Sequence, residues 1–387
     1  MKLSDRITRI PDPEGNAWAL FDRAREMQAQ GINVTMLSIG DHDERTPDLL
    51  LDRMYNATRA GNTGYAPLMG SADLRQAIAE RVSRTTGSPT APRQVAVTPG
   101  GQMALFNAFL AVLDPGDHAV IVDPYYATYP LTVRAAGGVP VTARADPDRG
   151  FQIDLDSLAA AADGARALLI NSPNNPTGAV YSRQTLEGIA EIVRTNDLWL
   201  ISDEVYDSQV WDGHHLSPRA LPGLAERTIL IGSLSKSHRM TGSRVGWLVG
   251  PDALVDALPD LAVASTYGIP GFIQEAALHA LRHGQEVEAD VHATYARRRN
   301  LAIAALAGAN RIRLSPPQGA MYVMLDIRAT GCTAPDFARE LLEEDHIAVM
   351  PGDGFGRSAR GHLRIALTVE DERLRRALLQ IRKRADS

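Results

Sequence analysis

From Ser71 onward the chain alternates short apolar runs with longer segments whose apolar residues recur at helical spacing, and no internal repeat interrupts the pattern. Residues 71–83 open with Ser71 and Asp73, both suited to a helix start, and continue as an amphipathic helix. Residues 94–98 read as a strand, followed by the turn Pro99-Gly100-Gly101-Gln102 and an apolar helix over 103–113. Further runs rich in Val, Ile and Leu fall at 118–122, 167–170, 198–201, 228–231 and 245–249, as expected of strands buried on both faces. Between them, residues 182–195 offer a capping Ser182 and a stripe of Leu186, Ile189 and Val193. This alternation predicts an α/β fold with a mostly parallel, helix-covered sheet.

After Gly250 the pattern changes. Val287, Val291 and Tyr295 recur at helical spacing in a long segment running to Leu306, which reads as a connector. Beyond it, residues 322–325, 347–350 and 362–367 read as strands of a smaller α+β unit closed by a basic helix over 371–384. The expected organisation is a large domain at 46–283 and a small one formed by both chain ends, 1–45 and 284–387.

With 387 residues, 44% hydrophobic and 22% charged, the chain reads as globular, which excludes disordered, collagen-like and disulfide-scaffold classes. A net charge of −6 is no footprint for nucleic acid or an anionic membrane, so a small-molecule partner is expected. The opening MKLSDRITRIPDPEGNAW has no apolar stretch of the secretory kind, and no run approaches the ~20 apolar residues of a membrane span. With Cys332 as the single cysteine, these features predict a soluble, cytoplasmic protein.

One compositional skew bears on chemistry. Lysine occurs only at positions 2, 236 and 383, so Lys236 is isolated in an arginine-rich chain. It lies in Ser233-Leu-Ser-Lys236-Ser-His, just past an apolar run, where a partly desolvated amine can become a nucleophile for carbonyl compounds; a surface loop lysine is the plain alternative. Asp203 and Tyr206, in Ile201-Ser-Asp-Glu-Val-Tyr206, also follow an apolar run. A carboxylate there needs a cationic partner such as a protonated pyridine nitrogen, unless it is a capping Asp before a core Tyr. Asn171-Ser-Pro-Asn-Asn-Pro-Thr-Gly178 specifies a rigid polar turn from which Asn175 offers an amide.

Gly100-Gly101-Gln102, preceding a helix, would supply backbone N–H groups for an anion, to which Ser233 and Arg244 would add a hydroxyl and a guanidinium fork. Tyr126, in Asp123-Pro-Tyr-Tyr126, offers an aromatic face, while Tyr125 and Tyr129 read as packing residues. Arg364 is a charge inside a strand pattern, explained either by a bidentate carboxylate or by an edge position facing water. Gly352-Asp-Gly-Phe-Gly356 reads as a turn rather than a dinucleotide fingerprint, and His214-His215 has no third ligand nearby, so no metal site is expected.

Taken together, NSPNNPTG at 171–178, SDEVY at 202–206 and SLSKSHRMTGSRVG at 233–246 resemble the hallmark motifs of the class I and II aminotransferases, pyridoxal-phosphate enzymes of fold type I. The resemblance runs from Ser38-Ile-Gly40-Asp41 to His362-Leu-Arg364. It implies pyridoxal 5′-phosphate as cofactor, Lys236 as the Schiff-base lysine that also moves the substrate proton, and Asp203 on the pyridine nitrogen. It further implies Asn175 and Tyr206 on the ring oxygen, Tyr126 stacked on the ring, and Gly101, Gln102, Ser233 and Arg244 around the phosphate. Tyr65 would reach that phosphate from a second subunit, making a homodimer with shared active sites, and Arg364 would clamp the substrate α-carboxylate beside Gly40 and Asn175.

The sequence also departs from the family. Ser243 stands where Trp is common, and His42 and Glu44 replace an apolar pair in a segment that covers the substrate. DLWLISDEVY, DGHHLSP and TYGIPGFIQEAA narrow the resemblance towards members acting on arginine with pyruvate. Glu44, a charge at a usually apolar position, is expected to meet a guanidino or basic side chain, while Asp41 and Asp43 read as solvated loop charges. The leading reading is ping-pong transfer of an amino group from an L-amino acid to a 2-keto acid. The rivals are a β-lyase on the same cofactor, a transferase of broader aspartate, aromatic or aliphatic specificity, and, more remotely, a regulatory binding protein.

Overall fold

The apolar runs between residues 95 and 249 assemble one sheet of eight strands: β1 (Val95–Thr98), β2 (His118–Asp123), β3 (Val139–Asp146), β4 (Gln152–Ile153), β5 (Ala167–Asn171), β6 (Trp199–Asp203), β7 (Thr228–Ser233) and β8 (Gly246–Val249). Their spatial order is β1-β8-β7-β6-β5-β2-β3-β4. The structure is a computed structural model and describes residues 1–11 and 18–387. From β7 across to β3 neighbouring strands are parallel, β8 runs antiparallel between β7 and β1, and β4 is antiparallel at the far edge.

Helices cover both faces. On one, Ala104, Ala108 and Phe109 of the helix Gly100–Val112 pack with Ile121, Leu169, Ile201 and Ile231. On the other, Leu158, Leu186, Ile189 and Val193 of the helices Leu155–Ala162 and Arg183–Thr195 pack with Val120, Leu168 and Leu200. Adjacent residues such as Leu168 and Leu169 thus enter opposite cores, so the central strands show no polar alternation. The start signals act as capping chemistry requires: Ser71 Oγ accepts from the Leu74 N–H at 3.3 Å, and Ser182 Oγ from the Thr185 N–H at 3.1 Å.

The elements depart from the sequence expectation in several places: the short strands Thr35–Met36, β4 and Arg313–Ser315 carry no apolar run, and the helix expected from residue 103 begins at Gly100. β3 was not anticipated, because its partly exposed residues, with Pro140 and Arg144 among them, present no apolar run. The single strand expected at 347–350 is divided between two sheets. Ile347–Ala348 pairs in parallel with Thr35–Met36, whereas β11 (Met350–Pro351) joins a four-stranded antiparallel sheet with β9 (Arg313–Ser315), β10 (Tyr322–Asp326) and β12 (His362–Ala366), in the order β9-β10-β12-β11. The helix Gln285–Leu306 leads into β9 and sends Val291, Tyr295 and Leu306 into the core shared with β10 and β12. Among the described residues no helix is long and apolar enough to cross a membrane.

The parallel strands end at one edge of the large sheet, which carries Asp123, Asn171, Asp203 and Ser233 as the last residues of β2, β5, β6 and β7. This is where α/β sheets place ligands.

Candidate active site

A cavity of about 290 Å³ opens at this edge, between the large sheet and β10 and β12 of the small one. Lys236 enters it from the short helix Leu234–Ser237 that follows β7, and its Nζ donates to the Gly40 carbonyl oxygen at 2.5 Å. Gly40 is held to glycine by close approach, since a Cβ there would collide with the Tyr322 hydroxyl. Asp203 is fully enclosed. Burial pushes its carboxyl up to about 6, against the stabilising hydrogen bond donated by Tyr129 Oη to Oδ2 at 2.7 Å and the Val205 N–H at 3.3 Å to Oδ1.

Arg364, on β12, is only 1% exposed. Its Nη1 donates to Asn175 Oδ1 at 3.0 Å and its Nη2 to the Ser38 carbonyl, while its guanidinium carbon lies 4.6 Å from the Tyr322 ring centre and 4.5 Å from that of Phe355. Among the described residues its Nε has no partner, and no carboxylate pairs with it. Burial lowers its pKa, so this is a cation held in place without its anion. The edge-strand alternative is thereby removed, because Arg364 lies between β10 and β11 in the register Met324, Arg364, Met350.

Tyr206 Oη and Tyr322 Oη share a hydrogen bond of 2.9 Å, and burial holds the Tyr206 phenol well above its ordinary value. The Asn175 N–H donates to Asn171 Oδ1 at 2.7 Å, which locks the turn that presents its amide. Tyr126 lines the cavity edge-on to Tyr129, with ring centres 5.7 Å apart, and burial pushes its phenol up to about 12.

At the opposite end lies the start of the helix Gly100–Val112, which no side chain caps, so the N–H groups of its first turn are open donors. Gly101, Gln102, Ser233 and Arg244 all border this end of the cavity. A Cβ on Gly100 would strike the Arg244 guanidinium, and one on Gly246 would lie 2.6 Å from the Gly101 nitrogen, so helix start and guanidinium can converge only with glycine at both positions. The Gln102 side chain is engaged elsewhere, with Nε2 on Thr132 Oγ1 at 2.7 Å and Oε1 accepting from Thr128 Oγ1 at 2.9 Å, leaving its backbone to the cavity. The residues therefore fit pyridoxal 5′-phosphate: an anion site at one end, an amine in the middle, a buried carboxylate for a ring nitrogen and, beyond it, a guanidinium lacking its carboxylate.

Two expected residues lie elsewhere. Glu44 is corrected: it is half exposed and outside the cavity, and its carboxylate is paired with Arg239 at 2.7 Å, so the unpaired charge that argued for a substrate contact does not exist. Tyr65 is 92% exposed, its ring tilted by 40° against that of Tyr267 with centres 5.4 Å apart, and it does not line the cavity of its own chain. The loop reading of Asp43 is also corrected. Burial pushes its carboxyl up, but the buried Arg298 guanidinium at 2.7 Å overrides this and holds it below the ordinary range.

Asp41 does line the cavity, with Oδ1 accepting from Thr241 Oγ1 at 2.8 Å. Tyr129, Tyr322 and Ser235 are cavity residues that the sequence reading missed, because an aromatic or small residue in an apolar run is indistinguishable from packing until its neighbours are known.

The family model described as aminotransferase class I and II matches residues 32–381. The arginine–pyruvate transaminase of Pseudomonas aeruginosa is 43% identical over 98% of this chain and 97% of its own. The aspartate/prephenate aminotransferase of Thermus thermophilus is 38% identical over 93% of each. The solved structure of Thermus thermophilus aspartate aminotransferase with maleate superposes with a TM-score of 0.91 at 35% identity, over 98% of this chain and 100% of that one.

Proposed function

This chain belongs to the class I and II aminotransferases, and we propose that its amino donor is arginine or another amino acid with a guanidino or basic side chain, with pyruvate as the acceptor. The reaction type follows from the family: an amino group passes from an L-amino acid to a 2-keto acid with pyridoxal 5′-phosphate as cofactor. When bound, the cofactor supplies an exchangeable carbonyl and an electron-poor ring. The observation that carries the reading is the placement of Lys236 Nζ in one cavity with the buried Asp203 carboxylate and the unpaired Arg364 cation.

The chain's own groups divide the work. Arg364 binds the substrate α-carboxylate, which fixes the Cα–H bond in orientation relative to Lys236. Lys236 Nζ, released from the Gly40 carbonyl, takes the proton from Cα and returns it on the other side of the exchange. Asp203, ionised above about 6 and oriented by Tyr129, would favour a proton on the ring nitrogen by its charge. Asn175 and Tyr206 would hold the ring oxygen, Tyr126 would lie against the ring, and Gly101, Gln102, Ser233 and Arg244 would hold the phosphate.

For donor choice, the similarity to the Pseudomonas enzyme is joined by Asp41, a carboxylate bordering the cavity of which only Oδ1 is engaged among the described residues. Screening common amino acids with pyruvate, 2-oxoglutarate and oxaloacetate should give the highest kcat/KM for arginine. Asp41→Asn should lower that value roughly ten-fold, as for loss of a hydrogen bond to a charged group, and leave alanine little changed. A wild-type preference for aspartate or phenylalanine would refute the donor assignment and leave the reaction type standing. Pyruvate and ammonia formed without any keto acid would favour the β-lyase.

The working unit in this reading is a homodimer, in which Tyr65 of one protomer completes the phosphate site of the other; its exposure beside the exposed Tyr267 supports this. A hybrid dimer carrying Tyr65→Phe in one subunit and Lys236→Ala in the other should retain one intact site if Tyr65 crosses, and neither if it does not. Scattering that shows a fully active monomer would contradict the proposal. Residence in the cytoplasm belongs to the same reading and is supported by the single, unpaired Cys332.

A further inference from the structure

His214-His215 lacks the spacing of a metal site, yet the His215 side chain is only 6% exposed. Its Nε2 lies 2.8 Å from Glu204 Oε2, the residue directly after Asp203 at the end of β6. Glu204 is 4% exposed, and its other oxygen accepts from Ser202 Oγ at 2.8 Å and Ser217 Oγ at 2.7 Å. Three donors thus converge on one buried carboxylate next to Asp203 in sequence, whose carboxyl the Glu204 charge pushes further up.

The charged groups around Glu204 come from several elements. Arg219, from the short turn Pro218–Ala220, is buried, with Nη1 on the Thr228 carbonyl at 3.5 Å and no carboxylate partner among the described residues. Arg81, from the helix Ala72–Thr86, shares a small internal cavity with Glu204 and Ser233 and is paired with Asp207 at 3.1 Å and Glu288 at 2.7 Å. His238, beside Glu288, is pushed down to about 4 by burial and carries no charge at neutral pH. Arg81 is thus taken up by Asp207 and Glu288, and the cation that acts on Asp203 itself is Lys236 across the cavity, so among the described residues the one titratable group in contact with the Glu204 carboxylate is His215.

We propose that His215 is a positioning residue for Asp203: as an imidazolium on Glu204 it cancels the neighbouring charge, so that the anion presented to the cofactor ring is that of Asp203 alone. The electrostatics agree. Burial opposes charging of His215, but Glu204 and, further off, Asp207 override it and hold the imidazole above its ordinary value. The inference rests on Asp203 facing the ring nitrogen, as in the proposed function.

The test is the pH midpoint of the holoenzyme's visible absorbance. His215→Gln leaves Glu204 uncompensated, and an added buried negative charge favours the protonated form of every group nearby, so the midpoint should rise by about one unit. Removing the charge as well, in the double variant Glu204→Gln with His215→Gln, should bring it back to the wild-type value. Asp203→Asn serves as the reference. If it leaves the midpoint unmoved, the placement of Asp203 at the ring is what fails. If it moves the midpoint but His215→Gln does not, or if the double variant fails to restore it, His215 has a structural role only and the inference is overturned. Should His215→Gln not fold, nitrogen-15 NMR of the wild-type holoenzyme decides: both His215 nitrogens should be protonated at pH 7, and a neutral ring would overturn the proposal.

Discussion

A Lys236→Ala variant is expected to fold, to bind the cofactor more weakly and to lose amino-group transfer by roughly 10²- to 10⁴-fold in kcat, the range associated with removing a general base. The expectation follows from isolation. Lys236 is the only lysine between positions 2 and 383, and the described residues bring no other lysine to the cavity, so no neighbour can assume its role. Its side chain is held by a single hydrogen bond to the Gly40 carbonyl, so truncation removes no packing element of the core. Borohydride reduction of the yellow holoenzyme should leave a stable adduct on the peptide containing Lys236, found by mass spectrometry. A variant that turns over at the wild-type rate, or an adduct elsewhere, would refute the assignment.

Arg364→Ala should lower kcat/KM for every amino donor alike, by about 2 to 5 kcal/mol, or roughly 30-fold to several thousand-fold. The reason is the composition of its surroundings. Among the described residues the guanidinium is buried between the Tyr322 and Phe355 rings with two neutral acceptors and no anion, and in the proposed function the charge it awaits is the α-carboxylate common to all amino acids. Uniformity is what the measurement must show. Steady-state kinetics with arginine, alanine and leucine should give parallel losses, whereas Asp41→Asn should affect arginine selectively. A loss confined to arginine in Arg364→Ala would place that residue at the side-chain end of the substrate instead. Thermal unfolding should accompany the kinetics, because removing a buried side chain stacked on two rings also leaves a cavity.

The two departures from expectation within the site have one physical origin. Glu44 and Asp43 are both loop carboxylates in the sequence, and nothing local shows which basic residue each will meet. Their partners, Arg239 and Arg298, are 195 and 255 residues away along the chain, and they turn a presumed substrate contact and a presumed solvated charge into structural ion pairs. Among the described residues Asp41, in the same loop, meets only Thr241 and the adjacent His42 N–H, which leaves its other oxygen to a ligand. His215 illustrates the converse: a loop histidine without metal-ligand spacing becomes informative only when folding delivers it to Glu204.

What the sequence determined by itself is everything encoded over a few residues: the strands buried on both faces, the Ser71 and Ser182 caps, the helix-opening glycines, and the order of Lys236, Asp203 and Asn175 at strand ends, where chain direction alone sends them to one edge of a parallel sheet. What only the tertiary structure decided is pairing over long separations. The division of residues 347–351 between two sheets depends on Thr35–Met36 arriving from the other end of the chain. The burial of Arg364 depends on β10 and β11 flanking its strand, and the fate of each loop carboxylate depends on which guanidinium lies within reach. Local propensity and capping act through neighbours in the chain, whereas burial and charge pairing act through neighbours in space, which the chain acquires only by folding.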